Sequence, residues 1–433
     1  MEFAYGFKSD ARQNLFYNAN NEAVYMTAAL GVILNPGNRT QKFFGGGKVA
    51  NTAKNVANDE VCHTDDITAI AMSSDKKWVA SGQVGSAPVA FVWNATTGEK
   101  KQRYKLTKGA RGIYAIALSQ DTKYVACVDL HDDHNVYVYE VDSGTLVWKE
   151  KGDTNKIFDI QFTKKAGEYK FVTVGKDHIK FWDIPTKKVE KGLFSGKGDA
   201  TSFACADYDN NGVVYAGGAN GMVYVWPTRE LSGCFKAHDG FVSALFCDGN
   251  RVYTGGKDGV VQHFDVSDAT HALKDKWNVG SLIRAVDVKD GNILVGTKDG
   301  DIIEKKAGQV KKIMSGHSEG EAWGLAIANS TMITTGDDNK IIAWDISKRD
   351  VVKVDVLSTV DRKSPAGGAS TLSEMAPSKC ARGLAYNPKT GHIAVGHNDG
   401  TLTIRNVSDV GKVLFSKQDS REWIEAISFS PDG

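Results

Sequence analysis

The chain has 433 residues, with 53 Lys and Arg against 52 Asp and Glu, a net charge of +1. That balance excludes the strongly basic domain of a general nucleic-acid binder and the acidic composition of a disordered tail. Glycine is enriched at 45 residues and proline is scarce at 8, which favours many tight turns between strands over a disordered linker.

Residues 3–44 open the chain with aromatic-rich stretches: Phe3-Ala4-Tyr5-Gly6-Phe7, then Arg12 and Asn14-Leu15, then Glu22 to Asn35 with Tyr25, and Gln41 to Phe44. They read as two or three strands. The longest apolar run, Ala23 to Leu34, is broken by Thr27 and Gly31. It is too short to cross a bilayer. The N-terminus lacks the basic and apolar regions of a signal peptide, so a soluble intracellular chain is expected. Gly45 to Glu60 reads as an inserted surface loop. Within it, Gly45-Gly46-Gly47-Lys48 resembles part of a phosphate loop. The first glycine and the Ser or Thr after the lysine are missing, so nucleotide binding is not expected.

From Cys62 onward one unit recurs. An apolar strand such as Ile67 to Met72, Ile113 to Leu118 or Trp323 to Ile327 is followed by a glycine-rich turn and a second alternating strand. Gly217 to Trp226, Gly255 to Phe264, Gly175 to Trp182 and Gly336 to Trp344 show the second half, and two copies end in Trp182-Asp183 and Trp344-Asp345. This is the four-stranded blade of a WD-repeat propeller. The strand-end positions Trp93, Tyr139, Trp182, Trp226, Phe264, Lys305 and Trp344 are spaced by 46, 43, 44, 38, 41 and 39 residues, near the WD period. Longer steps flank the series, 59 back to Leu34 and 61 on to Arg405. The spacing therefore predicts an all-β, seven-bladed propeller over 62–357. Residues 1–61 stand before it and a connector over 358–380 follows. A second, truncated propeller begins in 381–433.

Asp133, Asp177, Asp258, Asp299, Asp338 and Asp399 occupy turns that Asx side chains bond locally. His131-Asp132-Asp133-His134 reads as a solvated loop rather than a metal site. The six cysteines, at 62, 127, 205, 234, 247 and 380, form no CxxC pair. They are expected as buried free thiols. No nucleophile elbow or Cys/His arrangement appears, so no catalytic, cofactor-binding or metal-binding residue is assigned and no enzyme is expected. Arg362-Lys363-Ser364-Pro365 in the connector offers a proline-directed phosphorylation motif. Basic residues cluster at Lys100, Lys101, Arg103, Lys105, Lys108 and Arg111, at Lys187, Lys188 and Lys191, and at Lys305, Lys306, Lys311 and Lys312. These groups suit an acidic partner bound with salt-sensitive affinity.

The residues Tyr5-Gly6-Phe7, Arg12, Asn14-Leu15, Tyr25 and the run ending in Leu34-Asn35 resemble the HELP motif that opens the propeller region of the echinoderm microtubule-associated-protein-like (EMAP-like) family. Cys62-His63-Thr64-Asp65-Asp66-Ile67 is similar to the family's first-blade start. The family's hydrogen-bond networks give His63, His238 and His317 the role of partners to turn Asp and strand-end Trp residues. The resemblance implies tandem propellers and a non-enzymatic, structural protein of the cytoskeleton. It implies tubulin or microtubules as partner, with other microtubule-associated proteins as further candidates, and a cytoplasmic, ciliary or flagellar setting. No nucleic acid or membrane partner is expected. The basic residues Lys100, Lys101, Arg103, Lys105, Lys108, Lys187, Lys188, Lys191, Lys311 and Lys312 would face acidic tubulin. Residues 12–44 are expected to pair with the second propeller or its junction. The alternative reading is a generic WD-repeat scaffold or substrate adaptor that binds peptides at its central face.

Overall fold

A computed structural model of the chain describes residues 1–46, 61–357, 380–418 and 421–433. The described residues hold nine antiparallel sheets of four strands, each running in simple chain order. Alternation of apolar and polar residues creates strands, and the polar or glycine-containing turns reverse them. The chain divides into two compact units, Met1–Ile313 and Met314–Gly433.

The first unit contains seven sheets. Their first strands are Leu15–Tyr17, Ile67–Met72, Ile113–Leu118, Ile157–Phe162, Phe203–Tyr208, Val242–Asp248 and Ile283–Lys289. From Ile67–Met72 to Ile283–Lys289, consecutive first strands pack on one another in chain order, making five seams. Leu15–Tyr17 packs on Ile283–Lys289, and Ala23–Thr27 packs on Ile67–Met72. The ring of seven blades is therefore closed by the N-terminal sheet. The expected count of seven stands, but the membership differs. The sheet that starts at Ala322–Ala328 belongs to the second unit, beside the one that starts at Ala381–Asn387. Hence the boundary lies at 313/314, not at 357, and residues 15–44 are a blade of the first ring rather than a separate segment paired with the second propeller. The reason is packing: six blades leave a gap, and the N-terminal sheet fills it.

One packing device recurs at the seams. The second strand of a blade carries a glycine against which the next blade's first strand rests. A Cβ on Gly82 would lie 2.6 Å from Ile113 Cβ, on Gly217 2.8 Å from Val242 Cβ, and on Gly255 2.7 Å from Ile283 Cβ. Gly296 meets Phe7 Cζ at 2.8 Å and Leu15 Cδ2 at 3.4 Å in the same way. The N-terminal strand thus takes the place of a next blade. On its other side, Phe44 stacks on Trp93 (5.2 Å between centroids, 8° between planes) and meets Phe91 and His63. Trp93, Phe91 and Phe44 are buried, each contributing about 1.5–3 kcal/mol through lost apolar exposure.

The second unit holds two sheets and one further segment. Ile424 donates its N–H to the His397 carbonyl (3.2 Å) and accepts from Gly383 (3.2 Å). A Cβ on Gly396 would lie 2.7 Å from Ile424 Cβ. That is the seam geometry of the first unit, so Ile424 starts the next blade position.

Candidate functional site

The N-terminal motif builds the seam and crosses the centre of the first ring. Gly6 has φ +104°, a left-handed conformation that favours glycine. The turn there sends Phe7 inward, where it meets Tyr25 edge-on at 6.1 Å. Lys8 N–H donates to Met26 O (3.1 Å), and buried Asn14 donates from Nδ2 to Lys8 O (2.6 Å). Gln41 bonds both backbone groups of Ala4 and donates to the Tyr25 hydroxyl (3.1 Å). Tyr5 packs on Phe3 at 4.8 Å. The structure thus gathers Tyr5, Gly6, Phe7, Asn14, Leu15 and Tyr25 into one seam; Arg12 alone points elsewhere.

Buried carboxylates fasten the blades. Asp207 accepts from the Cys247 N–H in the next blade (2.8 Å), and Asp287 accepts from the Tyr17 N–H (2.7 Å). The two aspartates hold the same position in their strands, fifth from Phe203 and fifth from Ile283. Asp159 accepts from the Ala206 N–H (3.0 Å) by a related contact. A lysine completes each latch at the equivalent pair. Lys164 Nζ lies 2.6 Å from Asp207 and donates to Cys247 O, while Lys76 Nζ lies 2.9 Å from both oxygens of Asp287. Both ammonium groups also sit over the Phe246 ring, at 4.9 and 5.3 Å. Burial pushes the Lys164 pKa down, but the facing Asp207 charge and its hydrogen bond outweigh it and hold the lysine charged. Tyr17 donates its hydroxyl to Glu304 (2.8 Å), and burial followed by that carboxylate raises its pKa. Sequence reading missed Gln13, Lys76, Lys164, Asp207 and Asp287. The available signal was a carboxylate inside an otherwise apolar first strand, as in Phe203-Ala-Cys-Ala-Asp207-Tyr208.

Residues 8–13 run across the channel framed by the seven first strands. Gln13 has φ +45°. Its N–H donates to Arg284 O (3.0 Å), its Nε2 donates to Leu245 O (2.5 Å), and its Oε1 accepts from Val286 N–H (3.4 Å). This bend projects Arg12 to the far side of the ring, where its guanidinium lies 5.3 Å from the Phe158 ring centroid and 5.8 Å from that of Phe241. A cavity of about 420 Å³ opens there, lined by Arg12, Tyr114, Phe158, Asp159 and Arg284 among others. Burial pushes the Asp159 carboxyl up to about 7 against the pull of three N–H donors, from Ala206, Ile160 and Gln161.

Of the expected histidine networks, only that of His317 joins both a turn Asp and a strand-end Trp; His238 keeps the Asp without a Trp, and His63 keeps the Trp with Gln83 in place of the Asp. His317 bonds Asp338 (2.8 Å) and Thr334 (3.0 Å), and Trp344 donates to the same threonine (2.9 Å). His238 bonds Asp258 (3.0 Å) and Thr254 (2.8 Å). His63 bonds Gln83 (2.9 Å) and Ser81 (2.7 Å), and Trp93 donates to Ser81 (2.9 Å). Burial lowers the His63 pKa to about 4, with the Gln83 hydrogen bond opposing. Such rings lock the first three strands of a blade.

The basic residues lie on outer strands and their turns. Lys100, Lys101, Arg103 and Lys105 are on Lys100–Lys105 of the second sheet, with Lys108 in the turn beyond. Lys188 and Lys191 bound Lys188–Lys191 of the fourth sheet, after Lys187 in its turn. Lys311 and Lys312 are on Gln309–Met314 of the seventh. These sheets are not neighbours in the ring, so the structure sets out three separate rim patches, not one face. Several are neutralised locally: Lys101 pairs with Asp142 (2.7 Å), Lys188 with Glu190 (3.0 Å) and Lys312 with Asp301 (2.6 Å). In the 131–134 loop, Asp132 pairs with Arg111 (2.8 Å) and Asp133 with Lys151 (2.5 Å). Among the described residues no group of three or more His, Cys, Asp or Glu side chains could hold a metal. The Gly47-Lys48 and Ser364-Pro365 motifs lie outside the described residues.

Four-stranded antiparallel blades around a channel, histidine-to-tryptophan networks and an N-terminal motif completing the ring define a WD-repeat β-propeller protein with a HELP motif. Residues 61–305, more than half of the chain, match the family described as the echinoderm microtubule-associated protein first beta-propeller, and residues 1–32 match the HELP motif. The chain belongs to the echinoderm microtubule-associated protein family. It is 45% identical to the ciliary WD repeat-containing protein ctxp80 of Euplotoides octocarinatus, over all of this chain and 61% of that one. It is 25% identical to the 77 kDa echinoderm microtubule-associated protein of Strongylocentrotus purpuratus, over all of this chain and 60% of that one. It is 24% identical to human echinoderm microtubule-associated protein-like 1, over 96% of this chain and 51% of that one. The chain therefore spans about half to three fifths of the length of these relatives.

Proposed function

We propose that this chain is a non-enzymatic, microtubule-associated structural protein that binds tubulin through propeller surfaces in the cytoskeleton of cilia or flagella. The observation that carries this reading is the likeness along the whole chain to a ciliary WD-repeat protein and to echinoderm microtubule-associated proteins. The basic rim patches supply a mechanism. Tubulin exposes acidic surface and tails, and cationic groups on the edge of a rigid ring attract them over about a Debye length. Lys105, Lys108, Lys187, Lys191 and Lys311 are exposed and carry most of this attraction, because Lys101, Lys188 and Lys312 already face carboxylates.

Co-sedimentation with polymerised tubulin tests the reading, at low and moderately high salt, with the acidic tails present and then removed. Pelleting that weakens with salt and with tail removal is expected. Pelleting that survives both moves the contact to less charged propeller surface. No pelleting at low salt overturns direct tubulin binding by these residues.

A further inference from the structure

Arg12 is the one motif residue that the seam does not use. Its guanidinium stands in the channel of the first ring between Phe158 and Phe241. Stacking against aromatic faces satisfies the cation's face and leaves its in-plane N–H donors directed outward. Among the described residues no hydrogen-bond acceptor or carboxylate partner is found for those donors. The nearby carboxylates are occupied elsewhere. Asp159 holds its oxygens against Ala206, Ile160 and Gln161, and exposed Asp10 lies 3.5 Å from Lys8. Arg284 donates from Nε to Ser9 O (3.1 Å), which fixes a second guanidinium at the same cavity. Lys8 is taken up by Asp10 at 3.5 Å and Asp66 at 3.7 Å, which leaves Arg12 and Arg284 as the guanidinium groups at the cavity beside the Asp159 carboxyl. The cavity is about 420 Å³, within the range of ligand pockets. Tyr114, 40% exposed, supplies an aromatic wall.

We propose that this channel mouth binds an acidic peptide segment, with the Arg12 guanidinium anchoring a Glu or Asp side-chain carboxylate. The planar fork of an arginine matches a carboxylate in two parallel hydrogen bonds. A flexible segment can thread a side chain to a recessed guanidinium, which a folded surface cannot. The ring holds the arginine ready: the Gln13 bend and its bonds to Leu245, Arg284 and Val286 fix the backbone beside it. The site is distinct from the basic rim and goes beyond the microtubule reading, since a peptide tests it without tubulin.

The test is fluorescence anisotropy of fluorescein-labelled hexaglutamate amide titrated with the whole chain at low salt, with hexaglutamine amide as control. Hexaglutamate is expected to bind and hexaglutamine not. Arg12→Met keeps the apolar stem between the rings and is expected to weaken hexaglutamate binding at least tenfold, while Lys311→Ala leaves it within twofold. A second readout uses the unmodified protein. Saturating hexaglutamate is expected to protect Arg12 from phenylglyoxal, followed by peptide mass spectrometry, and it decides the matter if Arg12→Met does not fold. Equal binding by Arg12→Met, no hexaglutamate binding, or Arg12 modification unchanged by hexaglutamate would overturn the proposal. So would preference for a phosphoserine peptide over hexaglutamate.

Discussion

The latch between the seventh sheet and the N-terminal sheet makes a quantitative prediction. Asp287 is fully buried and holds both the Tyr17 N–H and the Lys76 ammonium, whose side chain is only 17% exposed. Asp287→Ala leaves a nearly buried cation without its counter-charge and a backbone donor without an acceptor. Breaking such a pair costs about 3–5 kcal/mol, and the orphaned donor overlaps with that figure rather than adding to it. Asp287→Asn keeps an acceptor for Tyr17 and should cost about half as much. Adding Lys76→Met to Asp287→Ala should recover part of the loss, because the uncompensated charge is gone. The loss falls at one seam, so it should appear first as local opening. Hydrogen exchange of amides in 15–44 should accelerate a hundredfold or more, while those in Ile113–Leu118 change far less. Acceleration below tenfold in 15–44, or an even rise over all seven sheets, would refute the claim that this carboxylate closes the ring.

Three further outcomes follow from the same structure. Gly31→Ala places a Cβ 2.6 Å from Trp93 Cζ2 and 3.2 Å from Phe44 Cβ; the overpacking should cost about 1–3 kcal/mol, and an unchanged urea midpoint would contradict the tight seam. His63, with its pKa lowered to about 4 by burial, stays neutral in the folded chain where the unfolded histidine protonates near 6.5. Its contribution, up to about 3 kcal/mol, is present above pH 6.5 and lost as pH falls towards 4. Asp159 acts oppositely over the same window, so the direct check is the His63 ring signal by NMR, and titration near pH 6.5 would rule the reading out. Charge reversal of Lys105, Lys108, Lys187 and Lys191 to Glu should reduce tubulin pelleting several-fold at low salt and flatten its salt dependence, with unchanged binding assigning the contact to another surface.

Two intervals of the chain misplaced the domain boundary in the sequence. The steps of 59 and 61 residues around the regular series look like domain boundaries. In the structure each spans an interval inside one unit: Gly45–Glu60 lies between two blades of the first ring, and 358–379 lies between two sheets of the second unit. The actual division, at 313/314, falls in the regular step of 39 residues from Lys305 to Trp344. Chain spacing reports how many residues separate two strands, not which sheet packs on which.

Much was nevertheless written locally. The alternating strands and the turns between them are short-range features and formed where the pattern placed them, as did the full Asp, His and Trp network of His317; the seam glycines were read only as turn residues. The HELP residues were legible through their resemblance to a known family's motif. What only the tertiary structure decided is where they are buried. Leu15 rests on Gly296 and Phe44 stacks on Trp93 because six blades leave one gap, and the buried charge of Asp287 is neutral in effect only once Lys76 arrives from the far side of that gap. Contacts between residues more than two hundred positions apart depend on ring closure, and no local pattern encodes which sheet will close it.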